Sequence, residues 1–149
     1  MRKVRVLLVN TGAVIDFSSY FSFLFRMFTD IAIMPLPLLL RYPLALLIAT
    51  VRPFFGYHKY RKIGKSPLIE IMHTQAELLR ERLKGYDIEV YPCCLYSKPL
   101  LDEFLSDKSF NVTVIIPQFP HYSKSTTGSI EIRVCHKNLD SVKIVRSYH

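Results

Sequence analysis

From Ile31 to Val51 the chain reads IAIMPLPLLLRYPLALLIATV, 21 residues with a single charge, at Arg41. A run this long and apolar spans a bilayer, lies on one, lines an apolar pocket or packs as a core helix. Pro35, Pro37 and Pro43 are expected to break any single helix through it, and Arg41 would stand near the middle of a span, where a charge is costly. The segment, about residues 31–51, therefore reads first as interfacial or pocket-lining, with a true span and an ordinary core helix as alternatives.

The rest of the chain is that of a globular protein. Half of its 149 residues are hydrophobic and 21% are charged, enough for one domain with a real core. The net charge of +8 favours an anionic partner, whether nucleic acid, an anionic membrane surface or a carboxylate- or phosphate-bearing ligand. Cys93, Cys94 and Cys135 are odd in number, and two of them are adjacent, a poor spacing for disulfides or zinc. They are expected to be buried, reduced thiols in a cytosolic protein. The apolar run Val6 to Val9 is too short for a signal peptide and reads as a buried first strand.

Val4 to Asn10 is that strand, and it ends at the turn signal Thr11-Gly12. A Phe-rich helix is expected over Ser19 to Asp30, capped by Asp16 or Ser18. The basic, aromatic stretch Tyr57 to Lys65 leads to Ser66-Pro67, an N-cap and first-turn pair that opens a helix carrying Leu68, Met72, Ala76, Leu79 and Leu83 and closing at Gly85. Strands follow over Asp87 to Cys93, Asn111 to Pro117 and Val142 to Val145, with a helix over Lys98 to Leu105. The alternation predicts an α/β fold, a parallel sheet covered by helices.

Generic motifs are scarce. Gly12 stands alone after the first strand, which makes a nucleotide-binding turn a weak reading, and no His/Cys cluster has metal-ligand spacing. Two segments stand out: Tyr60-Arg61-Lys62-Ile63-Gly64-Lys65-Ser66-Pro67-Leu68, and the hydroxyl-rich run from Pro117 to Ser129, PQFPHYSKSTTGS. The second leaves a strand end, where α/β folds bind ligands, although a capped turn before a helix would look similar.

These two blocks resemble the paired signatures of ferrochelatases. So does their setting: LLVNTG at Leu7 to Gly12, a proline-broken apolar segment, an arginine before the YRKIG block, and VKIVRSYH at the end. The resemblance covers Val4 to His149 and implies one Rossmann-like half-domain of the chelatase type, a parallel sheet flanked by helices. It implies that Arg52, Tyr60 and Ser66 hold a porphyrin, largely at its propionates, a role that suits a guanidinium and two hydroxyls. Thr11 would stand over one face of the ring and Thr127 would border the same cleft. The segment 31–51 would be the family's apolar lip, which accepts the tetrapyrrole and rests on a membrane.

The family pattern is also broken in places. Gly12-Ala13-Val14 replaces the family's Gly-Gly-Pro, and Leu95-Tyr96-Ser97-Lys98-Pro99 replaces R-Y-x-x-P, so a cleft arginine becomes Leu95. Lys124 stands where animal members place a cysteine ligand, so no iron–sulfur cluster is expected, and the segment from Glu131 to Asp140 is shorter than the usual helix. Residues 1–149 are expected to form the N-terminal half-domain only. The family's metal-binding histidine and proton-accepting glutamate belong to a second half, expected to be absent here. No catalytic or metal-ligating residue is therefore assigned, and His121 reads as structural. The function implied is ferrochelatase, inserting Fe(2+) as substrate into protoporphyrin IX, with this chain as the porphyrin-binding half and inactive alone. The alternative is a non-catalytic porphyrin-binding or membrane-associated remnant. The expected partners are porphyrin, a second-half polypeptide and a membrane surface, with no nucleic acid and no permanently bound cofactor. The expected location is cytoplasmic and peripheral on the membrane.

Overall fold

The computed structural model describes residues 3–63, 66–137, 139 and 141–146, with the side chains of Tyr60 and Ile63 outside the description. Four strands, β1 (Val4–Asn10), β2 (Ile88–Cys94), β3 (Val112–Pro117) and β4 (Val142–Ile144), form one parallel sheet in the order β2-β1-β3-β4. The central strand, β1, is buried along five consecutive residues, because a parallel strand has helices on both faces. Register pairs Val4 with Ile88 on one side and with Val112 on the other, so all three strands end at the same level. Their carboxyl ends, Asn10, Cys94 and Pro117, open onto one edge of the domain.

Side chains alternate between the two faces of the sheet. Leu7, Val9, Cys93 and Ile115 point to one core with Leu101, Leu105 and Ile130. Those partners come from α4 (Leu101–Ser106) and α5 (Thr127–His136). Val6, Leu8 and Val90 point to the other core, closed by Ala76, Leu79 and Leu83 of α3 (Leu68–Arg82) and its C-terminal flank. Cys93 and Cys94 are buried as expected, but Cys135 is exposed, because it lies late in α5 on the side away from the sheet.

Helix α1 (Phe17–Thr29) begins with a capping box: Asp16 Oδ1 accepts from Ser19 N at 2.6 Å, and Asp16 N donates to Ser19 Oγ at 2.8 Å. Helix α3 starts one residue later than the Ser-Pro pair suggests: Pro67 is the N-cap position rather than the first helical residue, and Ser66 Oγ accepts from Leu68 N at 3.4 Å from just outside the helix.

The proline expectation needs correcting. Helix α2 runs without interruption from Leu38 to Ile63, with Pro43 and Pro53 inside it. Pro35 and Pro37 do stay outside, in the turn before the helix, where the Pro37 carbonyl accepts from Leu40 N and Arg41 N. Each internal proline removes one i to i−4 hydrogen bond, which frees the carbonyls of Leu39 and Ala49. Packing against α1 offsets that loss. The buried positions Arg41, Ala45, Ala49 and Pro53 recur every four residues and form one stripe. Small side chains there bring the helices close, and a Cβ on Gly56 would come within 2.5 Å of the Tyr20 hydroxyl. The opposite side of α2 is apolar and exposed, with Leu39 at 85% and Phe55 at 78%. Leu38–Lys59, 22 residues, is long and apolar enough to cross a membrane by length and composition, and only 22% of its most apolar window is buried in the chain.

After β1 the backbone turns at Gly12 with φ +102. A Cβ at this position would lie 2.1 Å from Ser97 Oγ. Gly12→Ala is expected to cost about 2–3 kcal/mol from backbone strain and clash together, read as a lower denaturation midpoint at unchanged m-value.

Candidate functional site

The carboxyl ends of the strands carry a polar edge built by backbone pairing that outlasts the sheet. Leu95 N donates to Asn10 O at 2.9 Å, Tyr96 N to Thr11 O at 3.1 Å, and Gln118 N to Val9 O at 2.7 Å. Ser97 Oγ accepts from Ala13 N at 3.1 Å, which ties the loop after β2 to the loop after β1. Asn10 Nδ2 donates to Gln118 Oε1 at 3.3 Å, and Gln118 in turn donates to Gln75 of α3. Thr11 is half-buried at the centre of this edge, its amide and hydroxyl both donating to Asn10 Oδ1.

Beneath the edge lies a buried ionic cluster. The Asp30 carboxylate, its side chain 5% exposed, accepts from Tyr96 Oη at 3.1 Å, from Arg133 Nη2 at 3.1 Å and from Ser129 Oγ. Arg133 also pairs with Asp102 and lies over the Tyr96 ring, 5.6 Å from its centre. The cluster joins the end of α1 to the loop after β2 and to helices α4 and α5. Burial alone would raise the Asp30 carboxyl, but hydrogen bonds from Ser129 and Ala32 N, with the Arg133 charge, hold it below the ordinary aspartate value of 3.8. Burial pushes the Tyr96 phenol up to about 12, so it stays a neutral donor. Burial also raises the Cys93 and Cys94 thiols, which leaves them as inert core groups rather than nucleophiles.

The residues singled out from sequence fall at different depths. Arg52 is exposed on α2, and Ser66 is exposed at the entry to α3. Tyr60 belongs to the last turns of α2, with its side chain outside the described residues. No hydrogen bond or ion pair among the described residues links Arg52 with Ser66 or Thr11. Thr127 begins α5 and is wholly buried, its Oγ1 without a hydrogen-bond partner among the described residues. His121 and Lys124 are exposed in the loop between β3 and α5.

The Ferrochelatase family model matches residues 3–149. The chain belongs to the ferrochelatase family. Among its relatives, the ferrochelatase of Pelagibacter ubique is 36% identical over 152 residues, covering 95% of this chain and 44% of the relative. The Synechocystis ferrochelatase is 38% identical, covering 87% and 35%, and that of Desulfotalea psychrophila is 37% identical, covering 93% and 45%. The chain thus spans 35–45% of the length of these ferrochelatases.

Sequence reasoning did not find the Asp30 cluster or the Asn10–Gln118–Gln75 relay, whose members lie far apart in the chain. It also passed over a pocket beside Ala13. The spacing Ser18, Ser22, Arg26, three polar side chains four residues apart in a Phe-rich helix, was the available signal.

A carboxyl held below its ordinary pKa stabilises the fold above its unfolded pKa, and that stability is lost as pH falls through the folded pKa. Asp30→Asn is expected to cost about 3 kcal/mol at pH 7, because it leaves Arg133 and Tyr96 short of a buried acceptor. The deficit should shrink as pH falls below 3.8 and wild-type Asp30 takes up its proton, measured by urea denaturation across pH.

Proposed function

We propose that this chain is the porphyrin-holding part of a ferrochelatase, acting in haem biosynthesis, where Fe(2+) is inserted into protoporphyrin IX. The observation that carries this reading is the family match along residues 3–149, together with the polar edge at Thr11. Arg52 offers its guanidinium to a propionate, helped by Tyr60 and Ser66, while Thr11 and the loop leading to Thr127 border the ring. Metallation needs a bent macrocycle and a base near its centre to take two N–H protons. The described residues supply holding and orienting groups. The lone pairs of Asp30 are engaged by Tyr96, Ser129 and Arg133, so it is not that base. The proton acceptor would come from a second-half polypeptide.

Protoporphyrin added to the chain should bind with a Soret shift, and Arg52→Gln should weaken binding about tenfold, the loss of one charge-assisted pair. Zinc insertion, followed by porphyrin fluorescence, should stay at the uncatalysed rate. An unchanged Soret band would remove the porphyrin reading. Insertion above the background rate would remove the claim that the chain holds without inserting.

The outer face of α2 supports a peripheral membrane location. Leu38, Leu39, Phe54 and Phe55 are exposed and apolar, and the cationic Lys59, Arg61 and Lys62 follow them. Anionic vesicles should co-sediment with the chain. Leu39→Glu with Phe55→Glu should lower the partition at least about tenfold without unfolding, since two apolar side chains no longer enter the lipid.

A further inference from the structure

A cavity of about 320 Å³ lies between α1 and the loop after β2, lined by Ala13, Ser18, Ser22, Arg26, Ser97 and Lys98 among others. One wall is the Ser18–Ser22–Arg26 stripe of α1. The facing wall is Ser97–Lys98, fixed by the Ser97 Oγ bond to Ala13 N. Ser22 Oγ donates to Ser18 O at 3.0 Å, so its proton is engaged within the helix and the free donors of this wall are Arg26 and Ser18. Neither the guanidinium of Arg26 nor the ammonium of Lys98 has a hydrogen-bond or ionic partner among the described residues. Asp16 also lines the rim, but its Oδ1 is committed to the Ser19 amide, and the rim keeps a net positive charge. The cavity opens next to Gly12 and Ala13, at the polar edge that carries Thr11. A half-buried arginine on one wall and a lysine on the other, with the Ser18 hydroxyl beside the arginine, are complementary to a carboxylate.

We propose that Arg26 and Lys98 form a carboxylate-binding subsite that takes a side-chain carboxylate of the tetrapyrrole, separate from Arg52. The inference rests on the porphyrin reading above. The Arg26 fork grips the two carboxylate oxygens, Lys98 closes over them from the facing loop, and Ser18 donates a further hydrogen bond. A tetrapyrrole with carboxylates on more than one edge can engage this subsite and Arg52 together, so coproporphyrin, with four carboxylates, should profit more from it than protoporphyrin, with two.

The test titrates wild type, Arg26→Gln, Lys98→Gln and the double variant with coproporphyrin, protoporphyrin and the tetramethyl ester of coproporphyrin, following the Soret band. Thermal melts check that each variant is folded. Arg26→Gln should weaken coproporphyrin about tenfold and the double variant more, while ester binding stays unchanged. Equal affinities of wild type and the double variant for the free acids would overturn the subsite and leave the porphyrin reading standing. Equal losses for acid and ester would also overturn it, since shape and not charge would then be at issue. If wild type binds none of the three, the porphyrin reading falls and the subsite with it. Competition by free propionate, with no difference between acid and ester, would assign the pocket to a small free carboxylate and overturn its assignment to the tetrapyrrole.

Discussion

The Asp30 carboxylate ties the end of α1 to the loop after β2 and to α5, beside the packing of Phe23 and Met27 on the core. Removing a carboxylate from water is costly unless its lone pairs are met, and here a phenol, a serine hydroxyl, an amide and a guanidinium meet them. The four donors come from three places: Tyr96 after β2, Ser129 and Arg133 on α5, and Ala32 just past α1. No pair of these segments shares a ladder of backbone bonds. That buried carboxylate and the packing of Phe23 and Met27 together fix α1 against the sheet, and α1 in turn is the surface on which α2 rests.

Helix α2 has two unlike faces with two unlike tasks. Its inner stripe of Ala45, Ala49 and Pro53 gives close approach to α1, and Arg41 at the end of that stripe is turned inward, only 8% exposed. The charge that seemed to argue against a lipid-facing segment is on the protein side. Arg41 Nε and Nη1 are buried with no hydrogen-bond partner among the described residues. The outer face exposes Leu38, Leu39, Leu47, Phe54 and Phe55, with Thr50 and Arg52 also exposed on the helix.

Much of the fold was legible from local pattern. The parallel strands announced themselves as β-branched runs, and Asp16 capped α1 as its position suggested, because both signals act within a few residues. Pro43 misled for the same reason: the proline rule is local, while the packing of α2 on α1 that overrides it is not. Motifs marked Ser66 and the loop before Thr127 as candidates, and both lie at the surface. Thr127 itself proved to be under the surface, and the relay from Asn10 through Gln118 to Gln75 unites residues 10, 118 and 75, which no window of sequence contains.

The bond from Ala13 N to Ser97 Oγ has a consequence for recognition. Because the loops after β1 and β2 are bonded to one another before any ligand arrives, their ordering belongs to folding and adds nothing to the cost of association. The edge they form behaves as a rigid platform, on which a flat, stiff ligand can settle without either partner losing much internal freedom.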